Sequence, residues 1–496
     1  MKRWLFKKPD EKEISEHVSL IDHCKKSGDF VYFYSSRPQQ PYWIAYFSSI
    51  VDEEILHRDI LPPLHQTALT SLAEIKAALP IQNVQITSDC QTIENALLRG
   101  SVLIQFHEKD TACVLVRAPM IKARDVTIPE EEYSVVGPKE AFVESLTTNL
   151  NLIRSRLPIS ELQVKEYIIG SLSKTKVAVL YIEGITNDEN VQTACQRLES
   201  LDYHQILDSS FISQLIEDNK NSIFPQFIDT ERPDRVAGVL AEGSVVIMVD
   251  GSSHAIIGPI SIMELFNAFE DYFVNWQMAS AFRLIRVFAV AFSIMVTPVY
   301  VAVLTYHYQL IPKDLLVTLV SSRRNIPLPP ILEAVILELT IELLREAGAR
   351  LPTKVGQTIG IVGGIVIGTA AVDAGLTSNV LLILVALAAL ASFTTPVYRM
   401  GNTIRLLRFP FLLMADLWGL LGIAIAFLFL MTHLLKLTSL GRPYLEPIFP
   451  PNIRDLKDAF VRLPFSTQSK RPDFLQTKNP VRFPVKKRDK VKDIDE

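Results

Sequence analysis

The sequence predicts an α/β region built from two related subdomains, followed by an α-helical multi-span membrane domain. Charge is dense in residues 1–282, where short apolar runs alternate with polar turns, whereas residues 284–435 are mostly apolar. The mean hydropathy of +0.22 is high for a chain with 21% charged residues, because it averages two regions of opposite character. The remaining residues, 436–496, are polar, proline-rich and basic, which predicts a C-terminal tail.

The same division gives the domain boundaries. We expect, in order, an N-terminal extension (1–27), a first subdomain (28–136), a connecting helix (137–164), a second subdomain (165–282), a transmembrane domain (283–435) and a basic tail on the cytoplasmic side (436–496).

Composition and charge argue against several classes of protein. The net charge of −4 says little about nucleic acid, but no basic stripe with interleaved aromatic residues occurs in the charged half, so we expect no nucleic-acid partner. Residues 1–10 lead into charged residues rather than an apolar segment, unlike a signal peptide. The four cysteines are scattered without metal-binding spacing, which predicts a reduced, cytoplasmic environment and neither metal nor cofactor.

A duplication is visible in the charged half. The strand-like run 42–55, which leads through an acidic turn into a helix, is repeated at 176–189. Likewise, residues 96–106 and 238–250 each pass from a helix end through Gly-Ser into a Val-rich strand, as a helix C-cap that feeds a strand would. The two subdomains should therefore share a fold, although two ordinary strand–turn–helix units can also resemble one another.

Neither copy contains a recognisable catalytic motif. A phosphate-binding loop, a nucleophile elbow and a His-Glu-x-x-His zinc motif are all missing. The charged run 229–235 is expected to be a solvated turn that pins two subdomains by ion pairs rather than an acid–base site. The charged half is therefore expected to be a scaffold or sensing region, and not an enzyme.

Four apolar segments in the second half are long enough to be membrane spans. They are Leu284–His307, Gly356–Ala374, Leu376–Tyr398 and Phe411–Leu435. Arg283 and Arg286, at the N-terminal end of the first span, place the charged half in the cytoplasm by the positive-inside rule. The basic tail then requires an even number of crossings, but three arginines between 399 and 408 favour an odd total, unless 312–347 forms a re-entrant hairpin.

An acidic helix is expected just before the second span. Glu338, Glu342 and Glu346 recur every four residues, with Leu and Ile on the other faces. These carboxylates either face solvent or pair locally with Arg345 and Arg350, or they form an acidic ring at a pore mouth, which would favour cations.

The second span carries a row of glycines. Gly356, Gly360, Gly364 and Gly368 stand at four-residue spacing, with Gly363 beside them. Positions four apart share one face of a helix, so the row forms a groove about 18 Å long that another backbone can approach closely. It could pack two helices of one subunit, or it could place helices of several subunits around an axis.

Residues off that row are the candidates for lining a pore. Gln357 and Thr358 supply polar groups near one end of the helix, and Val362, Val366 and Thr369 lie away from the main glycine row.

At these residues the chain resembles a known family, the A subunits of GerA-type spore germinant receptors. The resemblance is carried by 323–348 (Arg-Arg-Asn-Ile-Pro-Leu-Pro-Pro through Glu-Ala-Gly), 351–364, 219–226, 230–234 and 438–444, and it covers about 137–464. It implies a nutrient receptor in the spore inner membrane, together with a transporter-like B subunit and a lipoprotein C subunit. It also implies a homo-oligomer, with a pentamer as the suggested form, that acts as a nutrient-gated cation channel.

Three functions remain open at this stage. The first is the cation-channel subunit, for which the glycine helix would be the pore wall. The second is a non-conducting scaffold that relays a partner's conformational change, and the closely related stage V sporulation channel protein is a near neighbour. The third is a secondary transporter with Glu338 or Asp416 as coupling acid, which the lack of repeated membrane halves disfavours.

Overall fold

The computed structural model describes residues 11–36, 41–66, 69–81, 83–108, 110–120, 129, 132, 136–351 and 353–483. For residues 11–15, 66, 353–362, 453–454 and 457–458 it describes the backbone alone.

The first subdomain is a five-stranded antiparallel sheet with helices around it. Its elements are α1 (Glu11–Cys24), β1 (Phe30–Ser35), β2 (Tyr42–Phe47), α2 (Glu53–Ile55), α3 (Leu61–Gln66), α4 (Leu72–Ala78), β3 (Val84–Thr87), α5 (Cys90–Leu97), β4 (Ser101–Gln105) and β5 (Cys113–Arg117). The strand order is β1-β2-β4-β5-β3. Strand β4 is buried along its whole length, because apolar residues pack on both faces of the sheet.

The second subdomain repeats this plan. Its elements are α6 (Leu146–Arg156), β6 (Leu162–Ile169), β7 (Thr175–Ile182), α7 (Asp188–Glu199), α8 (Ser209–Ile216), β8 (Ile228–Thr230), α9 (Pro233–Glu242), β9 (Val245–Val249) and β10 (Ala255–Gly258). The strand order is β6-β7-β9-β10-β8, the same permutation as in the first sheet. The duplication inferred from the sequence therefore extends to the strand order.

The repeated Gly-Ser step serves the same purpose in both copies. Gly243 ends α9 with a φ of 101° and Gly100 follows α5 with a φ of 79°, and each leads directly into a central strand. Only glycine adopts this left-handed conformation at little cost, so the helix can stop and the chain can turn into the sheet.

A buried ion pair joins the two subdomains. Arg154, in α6, donates to both carboxylate oxygens of Asp29 at 2.6 Å, and both side chains are 1% exposed. Ser27 and Ser49 also donate to this carboxylate. The connecting helix, expected over 137–164, is shorter than predicted, but its C-terminal turn holds this contact.

The apolar half forms a helical bundle. Its helices are α10 (Trp276–Tyr306), α11 (Lys313–Arg323), α12 (Pro330–Ala349), α13 (Thr353–Asp373), α14 (Asn379–Ser392) and α15 (Tyr398–Lys436). Among the described residues, α10 and α15 are the helices long and apolar enough to cross a membrane. The bounds expected for the third span, Leu376–Tyr398, are wrong. Helix α14 has 14 residues and is about 21 Å long, because the chain leaves the helix at Phe393.

The direction of each helix follows from side-chain contacts with α10. Helix α10 begins at Trp276, after the turn that contains Asp271, and ends at Tyr306; we call these the near and far ends of the bundle. Helix α14 runs back towards the near end, because Ser378 contacts Tyr300 whereas Ala388 contacts Ser293. Helix α12 also runs from far to near. Gly375, two residues after α13, lies at the far end, where an added Cβ would be 3.1 Å from Asn325 O.

Helix α15 is a hairpin of two arms rather than one long span. Trp418 and Gly419 leave helical geometry, Gly419 with a φ of 60°, and a Cβ added at Gly422 would lie 1.8 Å from Met414 O. At the other end of the arms, Thr403 and His433 contact neighbouring residues of the second subdomain. Residues thirty apart on a straight helix would be about 45 Å apart, so the chain must reverse. The single span expected at 411–435 is therefore wrong.

The C-terminal segment packs on the second subdomain. Its elements are β11 (Thr438–Ser439), β12 (Arg442–Pro443) and α16 (Ile453–Phe460). Asp218 accepts hydrogen bonds from Leu440 N at 3.0 Å and Gly441 N at 2.9 Å, and Arg471 donates to Ala241 O at 2.8 Å. As far as residue 483 this segment is part of the folded unit, and the rest of the expected basic tail, 484–496, lies outside the described residues.

Candidate functional site

An arginine lies at the point where four helices of the bundle meet. Arg408 donates through Nε to Ser293 O at 2.9 Å, and through Nη2 to Ser293 Oγ at 2.7 Å and Ala388 O at 3.2 Å. Its Nη1 contacts the carboxylate of Glu338, which also accepts from Thr297 Oγ1 at 3.2 Å. Buried charges are tolerated only when they are paired and hydrogen-bonded, and this pair is both.

A second buried carboxylate closes the far end of the bundle. Glu333, which is fully buried, contacts Arg323 Nη2 at 2.7 Å and accepts from Ser378 N at 3.2 Å. Ser378 also contacts the hydroxyl of Tyr300. These contacts tie the starts of α12 and α14 to α10 and to the end of α11.

The three carboxylates of the predicted acidic stripe have different environments. Glu338 is inside the bundle, paired with Arg408. Glu342 contacts Arg345 and lies 3.6 Å from Arg405 Nε, and the local pairing expected for it is present.

The third member, Glu346, forms an exposed pair with Arg350. Within one chain, each of the three carboxylates therefore has an arginine partner. Their role as an acidic ring facing ions stays a prediction.

The glycines of helix α13 have different surroundings: some pack against neighbouring helices and one faces open space. A Cβ at Gly363 would lie 3.0 Å from Leu344 of α12, and one at Gly368 would lie 3.7 Å from Leu382 of α14. A Cβ at Gly364 would have no atom within 4 Å. Gly363 and Gly368 thus pack helices of the same chain, whereas Gly364 faces a surface that the described residues leave uncovered.

The pore-lining candidates that can be placed are on the uncovered side of α13. Val366 is 56% exposed, and Thr369 is exposed while its hydroxyl donates to Ile365 O of its own helix at 2.8 Å. The other candidates lie where the side chains are outside the described residues; they are Gly356, Gly360, Gln357, Thr358 and Val362.

The bundle is tied to the sheets by charged contacts at the near end. Asp271 accepts from Arg283 at 3.2 Å and from Arg286 at 2.7 and 2.9 Å. Arg399, which begins the first arm of α15, lies 2.9 Å from Asp229.

The charged run 229–235 therefore differs from the solvated turn that we expected. Thr230, Glu231 and Arg232 are buried, and α9 begins at Pro233. The run also contributes Asp229 to the pair with Arg399, so it joins a sheet to the helical bundle rather than only pinning two subdomains together.

Sequence reasoning missed the role of the arginines in α15. Arg405 and Arg408 were used only to orient the helix, although they are three residues apart in an apolar run. Glu338 and Glu342 are four apart on another apolar helix, and two such pairs can face each other across a helix interface. This matched spacing was the feature of the sequence from which the contacts between the two helices could have been predicted.

The part of the chain that the structure describes offers no group of three or more His, Cys, Asp or Glu side chains that could hold a metal ion.

Comparison with known proteins identifies the family. A family model described as Bacillus/Clostridium GerA spore germination protein matches residues 19–474. The spore germination protein GerQA of Bacillus cereus is 49% identical over 478 residues, which are 96% of this chain and 96% of that protein. Spore germination protein A1 of Bacillus subtilis (strain 168) is 38% identical over 458 residues, 92% of this chain and 93% of that protein.

This chain is also similar to a solved structure. It is the N-terminal domain of the A subunit of the Bacillus megaterium spore germinant receptor GerK3, with 28% identity, a TM-score of 0.37, and coverage of 49% of this chain and 92% of that chain. The family match spans nearly the whole sequence, so the resemblance noted from the motifs is confirmed. The chain belongs to the GerA spore germination protein family, the A subunits of germinant receptors.

Proposed function

We propose that this A subunit oligomerises in the spore inner membrane into a nutrient-gated cation channel that triggers germination. It would act with a transporter-like B subunit and a lipoprotein C subunit, and its two sheets would lie in the cytoplasm. The observation that carries the proposal is the uncovered face of α13, where a Cβ added at Gly364 would meet no atom of the described residues within 4 Å.

The course of the helices supports a membrane domain with six passes. Helices α10, α12, α13 and α14 alternate in direction, and the two arms of α15 add an outward and a return pass. An even total places both termini on the cytoplasmic side and also keeps Arg399, Arg405 and Arg408 towards that side. In this proposal the acidic helix crosses once and the last apolar segment crosses twice, which would remove the conflict that the sequence posed.

The exposed side of α13 supports association with other copies. Ile365, Val366 and Ile367 are between 42% and 62% exposed, next to the open space at Gly364. Helices in lipid gain no hydrophobic driving force from association, so they pack through small residues that let backbones approach closely. A glycine beside exposed β-branched residues suits a helix that one copy packs against the next, around a central axis.

The polar content of α13 supports conduction along that axis. Thr369 satisfies its hydroxyl within the helix, so it can face either an aqueous lumen or an apolar neighbour without penalty. Val366 and Thr369 are three residues apart and share one side of the helix. In this proposal they line the lumen together with Val362, Gln357 and Thr358, and Gly356, Gly360 and Gly364 form the seam between copies.

The experiment compares two glycine-to-leucine variants in the complete receptor. Gly364→Leu adds a bulky side chain to the seam, whereas Gly348→Leu makes the same change at a helical glycine of α12 that also has no atom within 4 Å. We expect Gly364→Leu to lower the oligomer mass in detergent and to abolish nutrient-triggered cation release, and Gly348→Leu to retain both. If Gly364→Leu still assembles and conducts, the assignment of α13 is wrong.

A non-conducting relay subunit is the second candidate function. The ion pairs at the near end of the bundle favour it, because Asp271 and Asp229 would transmit a movement of the sheets directly to α10 and α15. Reconstituted receptor that changes conformation on nutrient addition without any conductance would favour the relay. The related stage V sporulation channel protein shares the channel hypothesis and is distinguished by the partner chains that copurify.

A further inference from the structure

A cavity lies where the second subdomain, the start of the bundle and the C-terminal segment meet. It has two adjoining lobes of about 320 and 300 Å³, which share a wall that includes Val239, Glu264 and Tyr272. Its other walls are the turns Ile262–Phe266 and Phe269–Tyr272 and parts of the segment 447–482. This size lies at the lower end of the range of small-molecule sites.

The walls are apolar with a few polar groups placed among them. The apolar side chains are Val239, Met263, Phe269, Leu463, Phe465 and Phe474. The charged groups that belong to the wall include Glu242, Glu264, Arg471 and Arg482. An apolar lining with a small number of fixed polar groups is typical of a site that orients an organic molecule.

Two arginines of this wall are already engaged by the protein; its other cations are Arg235, which is paired with Glu132, and Lys470. Arg482 lies 2.7 Å from a carboxylate oxygen of Glu242. The guanidinium group of Arg471 donates to three backbone carbonyl groups, those of Ala241, Asn479 and Val481, at 2.7 to 2.8 Å. These two arginines therefore stabilise the wall of the cavity and do not form an anion-binding site.

Glu264 differs from the other charged groups. It lines both lobes, and within the described part of the chain its carboxyl group accepts one hydrogen bond, from Ser261 N at 3.3 Å, and has no cationic nitrogen within 4.0 Å. Loss of hydration raises the pKa of Glu264 to about 7, and the nearby charge of Arg235 offsets this only in part. A desolvated carboxylate regains its lost solvation from a bound cation, so the site favours a positively charged group.

We propose that this cavity is a binding site for a small organic amine, with the apolar body between Met263 and Phe474 and the ammonium group on Glu264. Nothing in the proposed channel function requires this site. Because the walls come from segments some two hundred residues apart, a bound amine holds the C-terminal segment against the turn before α10. Occupancy therefore stabilises the folded arrangement at the near end of the bundle.

The test uses three probes that share an apolar ring and differ in head group: benzylamine, benzyl alcohol and benzoate. Binding to the full-length protein in detergent is measured by saturation-transfer NMR and thermal shift, at pH 6 and pH 8. We expect benzylamine to bind at least tenfold tighter than the other two, and its affinity to rise from pH 6 to pH 8 as Glu264 ionises. Equal affinity for all three probes, or no binding of benzylamine, would overturn the proposal.

Variants separate this site from other acidic surfaces. Glu264→Gln should remove the preference for benzylamine, whereas Glu199→Gln, on an exposed face of α7, should leave it unchanged. A Glu264→Gln protein that keeps the preference contradicts the assignment. The pH dependence of binding to the unsubstituted protein is an independent readout, since it does not require a variant to fold. An affinity for benzylamine that stays level or falls between pH 6 and pH 8 also contradicts the assignment.

Discussion

Arg408 and Glu338, seventy residues apart in sequence, form an ion pair at the centre of the helical bundle with side chains that are 2% and 3% exposed. The pair joins α15 to α12, and through Ser293 and Ala388 it also joins α10 and α14. A single polar contact thus fixes the relative position of four helices at one level of the bundle.

Removal of one member of this pair should destabilise the fold much more than removal of both. Arg408→Met leaves the Glu338 carboxylate buried without its partner, and we expect it to destabilise the fold by about 3–5 kcal/mol. Arg408→Met combined with Glu338→Leu should recover most of that loss, because no buried charge remains. The thermal midpoint of the purified protein in detergent checks this; a double variant no more stable than the single variant would contradict it.

The hairpin in α15 makes a topological prediction. In a membrane, residues 397 and 437 should lie on one side and Trp418 on the other, since the chain reverses at Gly419. Single cysteines at 397, 418 and 437, in a background with the native cysteines replaced, should show this division with a membrane-impermeant maleimide in oriented vesicles. A continuous span would instead give 397 and 437 opposite accessibility.

The pair between Asp29 and Arg154 predicts a dependence of stability on pH. The Arg154 guanidinium and the Ser27 and Ser49 hydroxyls hold the pKa of Asp29 below its usual value, although burial acts in the opposite direction. A lowered carboxyl pKa contributes stability that is present above the unfolded value of about 3.9 and is lost as pH falls through the folded value.

Asp29→Asn should therefore destabilise the protein at pH 7, and its difference from the unsubstituted protein should shrink below about pH 4. Thermal unfolding followed by circular dichroism between pH 3 and pH 8 measures it, with the exposed Asp22→Asn as control. A constant difference over that range would show that Asp29 is not linked to folding through its charge.

Gly243 should tolerate no side chain. Its φ is 101°, and an added Cβ would lie 2.5 Å from Thr477 Cγ2 in the C-terminal segment. Gly243→Ala should cost about 1–3 kcal/mol, from backbone strain together with the displaced Thr477. Gly251→Ala is the control, since its φ is also positive but it has no atom within 4 Å. Equal thermal midpoints for the two variants would exclude a role for the contact with Thr477.

Much of the α/β region could be predicted from the sequence because its signals are local. The strand-like runs and the Gly-Ser steps at Gly100 and Gly243 depend on neighbouring residues only, and repetition in the chain reinforced them. The number of strands and their order could not be predicted, since pairing between β8 and β10, or β3 and β5, joins distant segments.

The helical bundle was harder to predict, because the hydropathy of a segment does not show whether the chain reverses direction within it. Trp418 and Gly419 interrupt the apolar run no more than other residues of a membrane helix would, so 411–435 resembled one span. The turn is held by Tyr306, whose hydroxyl donates to Asp416 O and Leu417 O, and by His307, whose Nε2 lies 3.5 Å from Leu420 N. The partner of Glu338 was missed for the same reason: Arg408 is close only after four helices have packed.

The central claim is that α13 lines an aqueous path in a ring of copies. Its most direct test is the reactivity of Val366→Cys and Thr369→Cys towards a cationic, water-soluble thiosulfonate, in a receptor whose native cysteines are replaced. Modification at either position should require an aqueous path and should block nutrient-triggered cation flux, whereas Leu390→Cys, on the exposed face of α14, should not affect it. If neither Val366→Cys nor Thr369→Cys reacts, or if modification leaves the flux unchanged, α13 does not line the pore.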